Sequence, residues 1–112
     1  MSAVLVSPPR VSEETSLDAV LSHVMRDAGW IMMGGSAQFR HGSLSALQAS
    51  LRRLPELGVS QHVLHVTRLL GEKAILLATR GVSEVESLLG LQRTLAEFER
   101  AMRTEIALSG KR

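Results

Sequence analysis

Residues 61–80, QHVLHVTRLLGEKAILLATR, decide how this chain is to be read. This stretch holds two apolar runs, neither of which alternates cleanly between apolar and polar residues. Gly71 sits at the first central position of Leu70-Gly71-Glu72-Lys73, where a type II′ hairpin turn wants glycine. The segment therefore predicts two strands, Gln61 to Leu69 and Lys73 to Arg80. In the second, Ala74, Leu76 and Ala78 point one way while Ile75 and Leu77 point the other. A ribbon apolar on both faces implies a sheet covered on both sides.

Downstream, Ser83-Glu84-Val85-Glu86 is a capping box, with Ser83 reaching forward to a free N–H and Glu86 reaching back. It opens a helix expected to run to about Leu108. Leu88, Leu91, Leu95, Phe98, Met102 and Ile106 form its apolar arc, opposite Arg93, Glu97 and Arg100. Upstream, Ser12 caps an expected helix over Glu13 to Ala28, which Gly29 stops. Its stripe is Leu17, Val20, Leu21, Val24, Met25 and Ala28. Trp30 to Met33 and Ser36 to His41 read as short strands joined by Gly34-Gly35. Ser43 caps a second helix, Leu44 to Leu54, with stripe Leu44, Leu47, Leu51 and Leu54, ended or bent by Pro55.

The expected fold is therefore α+β: a small antiparallel sheet of four to five strands with helices on both faces, in the order α-β-β-α-β-β-α. Residues 1–11 read as an arm or added edge strand, with Ala3 to Val6 as the extra strand and Pro8-Pro9 as an extended connector. Residues 12–108 form one domain, and 109–112 a frayed tail. At 112 residues, 45% apolar and 21% charged, the chain has globular composition. It has no cysteine, no basic leader and no apolar run of membrane-spanning length. Those features point to a cytoplasmic protein with neither disulfides nor a membrane span.

No residue pattern points to a catalytic, cofactor or metal site. His62 and His65, three apart on a strand, face opposite sides and do not chelate one ion. His23 and His41 have no carboxylate at a ligand spacing. Ser12, Ser43 and Ser83 have capping roles, and no Gly-x-Ser-x-Gly elbow occurs. Gly34-Gly35-Ser36 has no following lysine and opens no expected helix, so it is read as a turn and not a phosphate cradle. Glu99 and Arg103, four apart with the acid first, form a favourable surface pair. Met32-Met33 suits either a pliable contact surface or core filling.

The charges, 13 basic and 11 acidic for a net of +2, are interspersed. A small Arg-rich nucleic-acid-associated protein is the alternative reading, with Arg40, Arg52, Arg53, Arg68 and Arg80 converging. Against it, the expected strands hold no aromatic after Phe39. The main reading follows from burial. Three helices do not cover both faces of the sheet, and a second copy of the chain relieves the shortfall. The small residues Ala46 and Ala49 would let two second helices approach; alternatively they are helix formers facing water.

The order of elements resembles the roadblock/dynein light chain family, longin-like in architecture. The resemblance rests on HVLHVT from His62, AILLAT from Ala74, and LLGLQRTL from Leu88, and spans roughly Leu17 to Met102. It implies a non-enzymatic homodimer, without cofactor, joined edge to edge. It further implies a regulator, scaffold or binding partner for small Ras-like GTPases. Carried to this chain, the dimer surface would involve Leu47, Ser50, Arg53, Leu54, His65 and Thr67. The family usually has five strands and a longer connection than that from Thr79 to Ser83.

Overall fold

The computed structural model describes residues 16–80 and 85–110, and among them there is no strand. The fold is all-helical: α1 (Leu17–Met33), α2 (Ala37–Leu51), a single 3-10 turn (Leu54–Leu57), α3 (Gln61–Arg80) and α4 (Val85–Gly110). The α+β expectation is overturned most directly at residues 61–80, where the expected hairpin is one continuous helix. Its buried residues are Val63, Val66, Leu70, Ala74, Leu77 and Ala78, a three-and-four spacing that makes a single stripe on a helix. Sampled every second residue, such a stripe reads as apolar on both faces. Gly71 lies mid-helix, where a Cβ would stand 3.8 Å from a Leu51 methyl, an ordinary contact distance. A glycine inside a helix costs about 1 kcal/mol. Six buried positions on one stripe outweigh that, whereas a lone two-stranded hairpin is marginal.

The first helix is also displaced from its expected bounds. Ser16, in extended conformation, caps α1 by accepting from the Ala19 N–H at 3.1 Å. The expected Ser12 cap lies outside the described residues, as do the Ala3 to Val6 strand, the Pro8-Pro9 connector and the Ser83 cap. Gly29 does not stop the helix. Continuing one more turn brings Ile31 into line with Val20, Val24 and Ala28, and Ile31 is fully buried. Burying it is worth about 1.5–3 kcal/mol, more than the glycine penalty.

The expected strands 30–33 and 36–41 are thus the last turn of α1 and the first turns of α2. Gly34-Gly35 still makes the reversal between them, with φ of 87° and 95°, but it joins two helices. Ser36 caps α2 by accepting from the Phe39 N–H, and the expected cap Ser43 is buried inside that helix. Helix α2 ends at Leu51. Pro55 sits in the 3-10 turn that follows, which buries Leu54 and closes at Gly58 in the left-handed region. Ser60 opens α3, its hydroxyl accepting from the Val63 N–H at 3.3 Å.

Successive helices are antiparallel. Arg40 near the start of α2 meets Ala78 near the end of α3, Leu51 meets Gly71, Gly90 lies against Lys73, and Ser60 meets Glu105. Helix α1 packs on α2 and α4, α3 packs on α2 and α4, and α1 also touches α3. The result is an up-down-up-down four-helix bundle squeezed across its α1–α3 diagonal, with extents of 50 × 33 × 17 Å. The core gathers the α1 and α3 stripes with Leu47, Leu51 and Leu54 from one side and Leu91, Leu95, Phe98 and Met102 from the other. No helix among the described residues is long and apolar enough to cross a membrane.

Glycine substitutions separate this fold from a hairpin. Gly29→Ala and Gly71→Ala each raise stability by roughly 0.5–1 kcal/mol in urea unfolding, because both sites are helical with room for a methyl. Gly34→Ala lowers it by about 1 kcal/mol or more, because alanine is strained at φ 87°. A loss at position 71 matching that at 34 would mean a turn there.

Candidate interaction surface

One end of the bundle is built from the α1–α2 turn, the last turns of α3 and the first turns of α4. The clamp that assembles it is Arg40. Its Nη1 donates to the Gly35 carbonyl at 2.7 Å and its Nε to the Ala78 carbonyl at 3.3 Å. Ala78 O is among the last four carbonyls of α3, which lack partners within the helix and favour a cation. One guanidinium thus ties the α1–α2 turn to the C-terminal end of α3.

On that end stand most of the large apolar side chains that the protomer leaves in water. Trp30 and Phe39 meet edge to face, their rings 5.6 Å apart at 87°, and each remains nearly half exposed. Met33 is 74% exposed. Val85 and Leu89 are exposed on the first turns of α4, and Ile75 is exposed on the final third of α3. Only Leu108, of the exposed large apolar residues described, lies at the opposite end. Single exposed apolar residues are ordinary, whereas their concentration at one pole marks a surface that a partner covers.

A groove between α2 and α3 is the second feature, a cavity of about 340 Å³. It is lined by Leu51, Gly71 and Ile75 together with the charged Arg52, Arg68 and Glu72. A third concavity, about 380 Å³, lies between the start of α3 and the later turns of α4, lined by His62, Glu97, Arg100 and Glu105 among others. Its acidic group has a structural task. Glu105 is 93% buried by its 7% exposure, and its Oε1 accepts from the Ser60 N–H at 3.4 Å, where the positive end of α3 favours a carboxylate.

Asp27 is the one buried polar group left half-satisfied among the described residues. Its Oδ1 accepts from the neighbouring Arg26 Nε at 3.3 Å, while Oδ2 is enclosed without a partner. An enclosed unpaired oxygen costs about 1–3 kcal/mol.

The residues singled out in the sequence scatter. Leu47, Ser50 and Leu54 are buried inside the protomer. Arg53 and His65 are exposed, and Thr67 is half-buried with its hydroxyl donating to the Val63 carbonyl at 2.7 Å. Two residues apart on a helix, His65 and Thr67 point to nearly opposite sides of α3: His65 lies on its exposed stripe and Thr67 lines the groove against α2. Of the arginines proposed to converge, Arg40 is spent on carbonyls, Arg80 ends α3, and Arg52 and Arg68 flank the groove beside Glu72. Among the described residues no group of His, Asp or Glu is placed to hold a metal ion. The Glu99–Arg103 pair forms as expected, bidentate at 3.0 and 2.7 Å. Met33 belongs to the contact surface and Met32 packs on the core. Sequence reading missed Arg40 as a clamp, because its two acceptors are backbone carbonyls that no side-chain pattern announces.

No family model matches the chain, and neither a curated protein nor a solved structure matches it. Two of the three segments that carry the roadblock resemblance, HVLHVT and AILLAT, lie in what is here α3, and the sheet-edge pairing it implied has no strand to use among the described residues. The GTPase partner rested on that resemblance alone.

Two substitutions test this end and the core behind it. Arg40→Ala removes both ties and lowers stability by about 1–3 kcal/mol, and Arg40→Lys does not recover it, since an ammonium lacks the fork that spans two carbonyls. Asp27→Ala raises stability by about 1 kcal/mol in the same unfolding assay, by removing the enclosed unpaired oxygen. A loss of several kcal/mol on Asp27→Ala would mean that the carboxylate has a full set of partners.

Proposed function

We propose that this chain works by binding other proteins, not by catalysis, as an all-helical adaptor whose docking element is the apolar pole at Trp30, Met33 and Phe39. The single observation that carries the reading is the gathering of exposed large apolar side chains at one pole of the bundle. A rigid aromatic pair beside a flexible thioether is the composition of an interface centre, aromatic residues and methionine being enriched there. The clamp through Arg40 holds the pole in shape before a partner arrives, which lowers the ordering cost of binding. The occupant that fits is a protein presenting an apolar helix face, laid against the crests of α1 and α2.

A photoreactive phenylalanine analogue at position 33 tests this directly, with the same group at Ser45, exposed on the side of α2, as the control. Illumination in cells that express the protein natively gives a discrete higher-mass adduct from position 33 and none from position 45. Equal labelling from both sites, or none from 33, would remove the pole as a docking element. Trp30 is the chain's only tryptophan, so its emission shifts to the blue when the adduct's partner is added in purified form.

A further inference from the structure

We infer that the outer face of α3 is a second interface, through which two copies of the chain pair antiparallel about a two-fold axis beside Leu70. This builds on the adaptor reading, since pairing in this way carries the two apolar poles to opposite ends of the dimer and makes the adaptor bivalent. The surface itself is centred away from the pole and shares only Ile75 with it.

The exposed stripe of α3 is Gln61, His65, Arg68, Glu72, Ile75 and Thr79. Arg68 and Glu72 stand four apart on it, and neither makes an ion pair or hydrogen bond with a described residue. Arginine preceding glutamate is the weaker order for a pair within one helix, so little holds them to each other. Both line the groove against α2, with Leu51, Gly71 and Ile75. The stripe is its own electrostatic complement when reversed. With an antiparallel copy centred between the two charges, Arg68 of each faces Glu72 of the other, and the contact occurs twice by symmetry. Any parallel arrangement in register sets like charges together.

Gly71, at the level of the proposed axis, faces Leu51 of α2 and so stays off the contact. Ile75 of each copy falls opposite the turn that bears His65, and loses the exposure that the protomer leaves it. The exposed stripe is about 27 Å long at 1.5 Å per residue, which is a small interface. Pairing is therefore weak and, being led by exposed charges, is loosened by salt.

Sedimentation equilibrium of the purified full chain tests this at about 100 µM and low ionic strength, conditions that populate a weak ionic dimer. The wild type sediments at twice its 12.2 kDa mass and shifts towards the monomer as salt is raised. Arg68→Glu and Glu72→Arg each weaken pairing by roughly tenfold or more, because each sets like charges opposite one another. Mixing the two variants restores a dimer, one copy now wholly acidic at the contact and the other wholly basic. The double exchange Arg68→Glu with Glu72→Arg also restores it. Unchanged far-ultraviolet circular dichroism shows that the variants are folded, both positions being exposed. A monomeric wild type, single variants that pair as well as the wild type, or a mixture that stays monomeric would each overturn the proposal. Cross-links from position 33 that persist in Arg68→Glu leave the adaptor reading standing when pairing fails. A salt-sensitive dimer without those cross-links leaves pairing standing when the adaptor reading fails.

Discussion

The bundle depends on the burial of one stripe of α3, Val63, Val66, Leu70, Ala74, Leu77 and Ala78, against all three other helices. The stripe mixes bulk and smallness. Leu70 and Leu77 fill space, while Ala74 and Ala78, with Ala28 on α1, are small residues enclosed in the same core. Small residues let helix axes approach, and the flattened cross-section with α1 touching α3 follows from that. Once α3 is committed, α2 and α4 lie antiparallel on its two flanks, where Gly71 accepts Leu51 and Gly90 accepts the Lys73 side chain. The poles of the bundle are set by the same register.

Flatness and surface chemistry are linked. A squeezed four-helix bundle has less interior than a square one for the same chain, so some apolar side chains stay outside. Here they are sorted to one pole, and the opposite end instead carries the capped start of α3, held by Ser60 and Glu105. The sorting follows from the residues at the reversals. Gly34-Gly35 turns the chain tightly enough that Trp30 and Phe39 meet across it, and Arg40 then locks that turn onto α3.

How much of this was legible in residues alone differs from place to place. The α4 arc was plain, because Leu91, Leu95, Phe98 and Met102 repeat over many turns with charges opposite, and all four are buried. The stripe of α1 was plain as well, but its end was misplaced, because Gly29 as a stop signal outweighed the vote of Ile31 for one more turn. At 61–80 two periods competed. The central glycine was read as a hairpin turn, whereas positions 63, 66, 70, 74, 77 and 78 repeat at the spacing of a helix. The surface was less legible than the core. Met33 was open as a contact residue, but the neighbourhood of Trp30 and Phe39 needs the helical turn between them to be seen, and the groove needs α2 against α3. Leu47 and Leu54 were placed at an interface by the family resemblance alone, and both are fully enclosed in the helical core.

The account stands on residues 61–80 being one unbroken helix, and backbone chemical shifts of the isotopically labelled chain measure that residue by residue. The account predicts downfield-shifted Cα resonances from Gln61 through Arg80 without interruption, with helical sequential amide contacts running through Leu70, Gly71 and Glu72. Upfield, strand-like Cα shifts on either side of Gly71, with cross-strand amide contacts between the two halves of the segment, would contradict it.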